Sequence, residues 1–292
     1  MPYFETIENN TVYYESFGKS GPIVILLHGL GSSSKIWVHQ IRFLQKSYRV
    51  FVLDFPGHGR SGWHYGYSFE QEVDVIYQLM THCQIPKATL IAVSMGCTPA
   101  LLFSASYPNK VNRLILEGPI GGYSPWWEPI GLLDFIVFTF APIMIELSIA
   151  LKGYHQTAHW INQFGLKKMT RLKRLEGSQD RTDYLAIRQL FWGSACAPYA
   201  KVLDCIECPV LLIRGTSDPF PKRFSEYIVK HLKNVSFVEV EKTRHVVSLE
   251  KPNYFNSLAS VFLVDKVNCK LSKSDSQSLQ ILPSPSIPSS IS

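Results

Sequence analysis

The chain has 292 residues, 46% hydrophobic and 13% aromatic, with a formal net charge of +6. That composition excludes a wholly disordered chain, which would be short of apolar and aromatic side chains. The modest charge, with no long basic block or zinc-finger spacing, excludes a nucleic-acid partner from the expectations, and the length fits one large α/β core with insertions.

Phe4 to Ile7 and Val12 to Phe17 flank Asn9-Asn10 and read as a β-hairpin with turn-tolerant asparagines at the bend. Ile23 to Leu27 follows as an all-apolar run without alternation, the pattern of a strand covered on both faces. Val50 to Leu53, Thr89 to Val93, Leu114 to Leu116 and Val210 to Ile213 repeat it, and Val235 to Val240 supplies a last strand. Between them lie helical stretches. Ser68-Phe-Glu-Gln71 is a capping box opening a helix to about Cys83, Met95 to Tyr107 is a second helix, and Val246 to Leu263 a third, regular after Pro252. Strand and helix in alternation predict an α/β fold: a mostly parallel eight-stranded sheet flanked by helices.

Residues 119–196 interrupt this rhythm with consecutive helical patterns and are read as an inserted helical cap, so residues 1–118 and 197–266 form the core. From 267 to 292 Ser and Pro replace periodic apolar residues, which predicts a disordered tail. The six cysteines have apolar neighbours, and MPYFETIENN carries no apolar export segment, so a cytoplasmic setting is expected. Cys205 and Cys208 form a single CxxC without a second pair or a histidine cluster, so no metal site is expected, and no cofactor.

The strand ending at Val93 runs into Ala92-Val93-Ser94-Met95-Gly96, a variant of G-x-S-x-G with alanine in the first small position. A tight turn there lifts a serine hydroxyl above the sheet. Leu27-His28-Gly29-Leu30-Gly31, at the end of an earlier strand, lets the Leu30 N–H join that of Met95 around a developing oxyanion. His245, between the last strand and the last helix, is the expected base, because imidazole titrates near neutral pH. Asp218 follows the strand ending at Ile213 and is placed to orient that imidazole. Ser94, Asp218, His245 is the chain order of one known arrangement of these three groups.

These blocks, with DFPGHGRS at 54–61, RGTSDPF at 214–220 and RHVVSLEKP at 244–252, resemble the α/β-hydrolase superfamily over about residues 3 to 265. The resemblance implies a Ser-His-acid triad and a helical cap after the sixth strand. Relatives that displace at carbon use an aspartate at the elbow, so Ser94 implies an acyl-enzyme and cleavage of an ester or thioester. The same triad also serves C–C bond hydrolysis, elimination or acyl transfer, and a ligand receptor with little turnover is a non-enzymatic alternative. Two departures are Ala92, where glycine is usual, and Thr243-Arg244, where small residues often precede the histidine.

Glu117 ends a strand where some superfamily members carry their acid and is the reserve for Asp218. His28 and His58 are assigned to shaping glycine-rich loops, and Asp54 to a turn. Residues 129–151 are apolar enough to raise a membrane span, but Asp134, Glu146 and Pro142 favour two cap helices over a hydrophobic cleft. Trp126 and Trp127 precede them as candidate substrate-binding residues, and the expected partner is a small hydrophobic acyl or aryl substrate. Lys167, Arg171 and Arg174 lie opposite Leu166, Met169, Leu172 and Leu175 on a helical pattern, which leaves peripheral membrane contact through the cap open.

Overall fold

The computed structural model describes residues 2–7, 9–62, 67–120, 198–220 and 222–264, with isolated positions 186, 189, 190 and 193. Its strands are β1 (Tyr3–Glu5), β2 (Thr11–Phe17), β3 (Ile23–Leu27), β4 (Arg49–Leu53), β5 (Ala88–Val93), β6 (Val111–Glu117), β7 (Val210–Gly215) and β8 (Val235–Val240). They form one eight-stranded sheet in the order β1-β2-β4-β3-β5-β6-β7-β8. β1 and β2 run antiparallel to their neighbours, and β3 to β8 are parallel.

The all-apolar strands have the burial their composition demands. Every residue of β5 and β7 is buried, and alternate side chains enter different cores. Leu27, Leu90, Ala92 and Leu116 face a core shared with Phe69, Ile76, Leu101 and Phe103. Leu26, Ile91, Val93 and Ile115 face the opposite one, with Trp37, Leu44 and Phe255. The helices covering the two faces are α1 (Val38–Leu44), α2 (Phe69–His82), α3 (Cys97–Ser106), α4 (Lys222–His231), α5 (Val247–Glu250) and α6 (Pro252–Val264).

α2 begins where Ser68 and Gln71 predict: Gln71 Oε1 accepts from the Ser68 N–H at 2.8 Å and Ser68 Oγ from the Gln71 N–H at 3.4 Å. Two local expectations need correction. The hairpin strand ends at Glu5 rather than Ile7, because Thr6 turns inward and its Oγ1 accepts from the Asn10 N–H at 3.0 Å. The helix expected from Met95 is preceded by a 3₁₀ turn over Ser94–Gly96 and becomes α-helical at Cys97. α1 and α4 fall between strands, where the sequence reading expects helical stretches but sets no bounds for these two.

The chain passes from β3 to β4 on one side and then back across to β5 on the other, so the strand order reverses between β3 and β5. Connections leaving these strands diverge there, opening a crevice at their carboxyl ends, the usual ligand position in such sheets. Nearly all of the expected cap, the apolar stretch 129–151 and the tail from 267 lie outside the described residues. No helix among the described residues is long and apolar enough to cross a membrane.

Candidate active site

Ser94 stands at that crevice with φ +55°, left-handed for a residue with a Cβ. Such a backbone costs about 1 to 3 kcal/mol and persists only where its surroundings enforce it. Here they are close main chain. A Cβ at Gly96 would lie 2.5 Å from the His28 carbonyl oxygen and 2.9 Å from that of Leu27, and a Cβ at Gly29 would lie 3.0 Å from Ser94 Cβ. The end of β3 and the turn after β5 therefore touch through glycine. Ala92, two residues before the serine, is fully buried, and its carbonyl lies 3.4 Å from Cys97 Sγ. Neither the Leu30 nor the Met95 N–H is committed to an acceptor among the described residues.

The three candidate side chains converge from separate loops. His245 Nε2 lies 2.9 Å from Ser94 Oγ, and its Nδ1 lies 3.0 Å from Asp218 Oδ2. A carboxylate can only accept, so Nδ1 carries the proton and Nε2 is left to accept from the serine hydroxyl. The Asp218 side chain is 2% exposed, and its other oxygen accepts from the Phe220 N–H at 3.0 Å. The Phe220 ring lies 4.6 Å from the imidazole and covers it.

Sequence reasoning left out the residue that organises this loop. Arg214, buried at the end of β7, donates to the carbonyls of Asp218 at 3.2 Å and Phe220 at 2.7 Å, and its charge faces Glu239 at 3.6 Å. Its only signal was membership of the RGTSDPF block. Thr243 and Arg244 fit before the histidine because their main chain presses on Gly215, where any Cβ would strike both their carbonyl oxygens. Thr243 Oγ1 donates to the Val240 carbonyl at 2.7 Å.

The neighbouring ionisable groups are engaged elsewhere. Glu117 is fully buried, its Oε1 accepts from the Ser248 N–H at 2.6 Å, and burial pushes its carboxyl from 4.5 up to about 7. His28 Nε2 accepts from the Phe55 N–H at 2.8 Å, tying the ends of β3 and β4 together, while Nδ1 faces the Gly29 carbonyl. His58 is buried beside His28, and desolvation first, the second ring next, drives its imidazole from 6.5 down to about 3. Asp54 accepts from the N–H groups of Ser34 at 2.7 Å and Arg60 at 3.0 Å, fixing the loop after β3 against the one after β4. Trp126, Trp127, Lys167, Arg171 and Arg174 lie outside the described residues.

Comparison with known proteins agrees with this architecture. The profile of the alpha/beta hydrolase fold family matches residues 22–252, and the chain belongs to that family. It is similar to 3-oxoadipate enol-lactonase 2 of Acinetobacter baylyi, with 26% identity over 277 residues, 88% of this chain and 96% of the relative. It is also similar to a pimeloyl-[acyl-carrier protein] methyl ester esterase of Neisseria meningitidis, 26% identical over 250 residues, 82% of this chain and 93% of that protein. Among solved structures, the enol-lactonase of Burkholderia xenovorans superposes with a TM-score of 0.75 at 21% identity, covering 90% of this chain and 100% of its own. The relatives are hydrolases, and the chain is an enzyme of the same fold.

Proposed function

We propose that the protein is a serine hydrolase that cleaves a carboxylic ester or thioester of a hydrophobic acyl or aryl substrate through an acyl-enzyme. The observation that carries the reading is the line from Asp218 Oδ2 through His245 to Ser94 Oγ, closed at 3.0 and 2.9 Å. Nε2 takes the hydroxyl proton as Oγ bonds to the acyl carbon, and the same proton then passes to the departing alcohol or thiol. Water, deprotonated by the freed Nε2, attacks the acyl-enzyme and releases the acid and Ser94. The N–H groups of Leu30 and Met95 receive the negative oxygen of each tetrahedral intermediate, a contribution of roughly a hundred to a thousandfold per donor in comparable enzymes.

The relatives' own names support an ester bond: a lactone is a cyclic ester, and the esterase acts on a methyl ester. Residues 119–196, with Trp126 and Trp127, are proposed to close the apolar side of the cleft, and a cytoplasmic setting suits the free thiols of Cys83, Cys97, Cys205 and Cys208. The test is a fluorophosphonate probe followed by peptide mapping. Labelling at Ser94 that is abolished in His245→Ala is the expected result; labelling elsewhere, or undiminished labelling without the imidazole, overturns the mechanism.

A further inference from the structure

Glu117 is the last residue of β6, and its side chain shares a sheet face with Ile115, beneath α5. Its Oε1 accepts from the Ser248 N–H at 2.6 Å, and Ser248 is fully buried in α5, three residues beyond His245. The same turn is gripped from the other side, where Gln40 Nε2 of α1 lies 3.1 Å from the Ser248 carbonyl and 3.3 Å from Asn256 Oδ1 of α6. The residue after Glu117 also meets the base. Gly118 has φ +51°, and a Cβ on it would lie 3.0 Å from both Cε1 and Nδ1 of His245. The end of β6 thus touches the imidazole and anchors the chain just beyond it. Glu117 does this without acting as the acid, since the Nδ1 position is filled by Asp218.

We propose that Glu117 is a positioning residue for His245, its carboxyl holding the Ser248 N–H so that the turn entering α5 presents the imidazole to Ser94. The inference rests on the serine-hydrolase reading above. Without that acceptor a buried N–H is left unpaired, and the turn must move to recover a partner.

The test compares the full chain with Glu117→Gln and Glu117→Ala. Two quantities are followed: the rate of fluorophosphonate labelling at Ser94, and the downfield Nδ1–H resonance of His245 in protein labelled with ¹⁵N-histidine. Ala is expected to slow labelling by about tenfold to a hundredfold, as small misplacements of a catalytic group do, and to shift or broaden the resonance. Gln keeps an acceptor oxygen and is expected to recover most of both. Glu117→Met fills the volume without an acceptor and replaces Ala should Ala not fold. The proposal is overturned if the variants lacking an acceptor leave rate and resonance unchanged, or if Gln is as impaired as they are. Should the parent itself not label at Ser94, the hydrolytic reading fails, while the resonance alone still decides whether Glu117 holds His245 in place.

Discussion

Asp218 and Glu117 are both buried carboxyls at the carboxyl ends of neighbouring strands, and their hydrogen bonds separate their roles. Asp218 accepts from an imidazole and one backbone N–H, and Glu117 from the turn behind that imidazole. Replacing Asp218 by Asn keeps the shape but no longer fixes which ring nitrogen carries the proton. Labelling of Ser94 should fall by about a thousandfold or more, well beyond the effect of Glu117→Gln. A smaller loss at 218 than at 117 would reverse the assignment. Of these residues, Ser94, Asp218 and His245 were legible in sequence, because each sits just after a recognisable apolar strand in a block of characteristic composition. Arg214 was not, because it acts on carbonyl oxygens that any residue would supply. Glu117 was noticed for its charge and position; that its partner is a main-chain N–H from residue 248 is a long-range fact with no local pattern.

At the scale of elements, legibility followed the depth of burial. β3, β5 and β7 are nearly continuous apolar runs because both of their faces are covered, and their boundaries were read closely. α1 fully buries Gln40 and Leu44 with Ile41 packed beside them, and α4 buries Ser225 and Ile228 with Tyr227 and Val229; each spans fewer than three turns and neither carries a capping box like that of α2, so no local signal set their bounds. α2 shows the opposite anomaly: Glu72 occupies its core face, fully buried, and neither carboxylate oxygen has a partner among the described residues. Burial pushes its carboxyl well above 4.5. The unfolded chain ionises near 4.5, so the folded state loses stability as pH rises from there toward the raised folded value. Glu72→Leu removes the group. It is expected to be more stable than the parent, by a margin that widens from pH 4.5 to pH 8 in urea unfolding; a margin that narrows over that range would refute the explanation.

Across the whole molecule, one crevice gathers groups from strands that are far apart in sequence. β3 delivers Gly29 and Leu30, β5 delivers Ser94, β7 delivers Asp218, and the segment after β8 delivers His245. The fold class was legible because that topology requires strand and helix in alternation; the strand-order reversal was not, since it depends on which strands pair. From their composition, the Ser- and Pro-rich residues from 267 onward are proposed to form a tail outside the fold, whose last helix, α6, ends at Val264. A chain ended at residue 266 should therefore keep its labelling rate at Ser94 and its thermal midpoint. A drop in either would assign the tail a part in the folded enzyme.

β6 and β7 are direct neighbours, with Leu114 opposite Val210 and Glu117 opposite Ile213, and the Gly118 N–H bonds the Ile213 carbonyl at 2.9 Å. Because the two strands are parallel, the chain leaves the carboxyl end of β6 beside the crevice and crosses back to enter β7 at its amino end. Residues added where that crossover leaves the crevice lengthen it without changing the register of either strand. Under the proposed function, substrate preference can drift with that segment as with an interchangeable cartridge while the machinery that breaks the bond keeps its place.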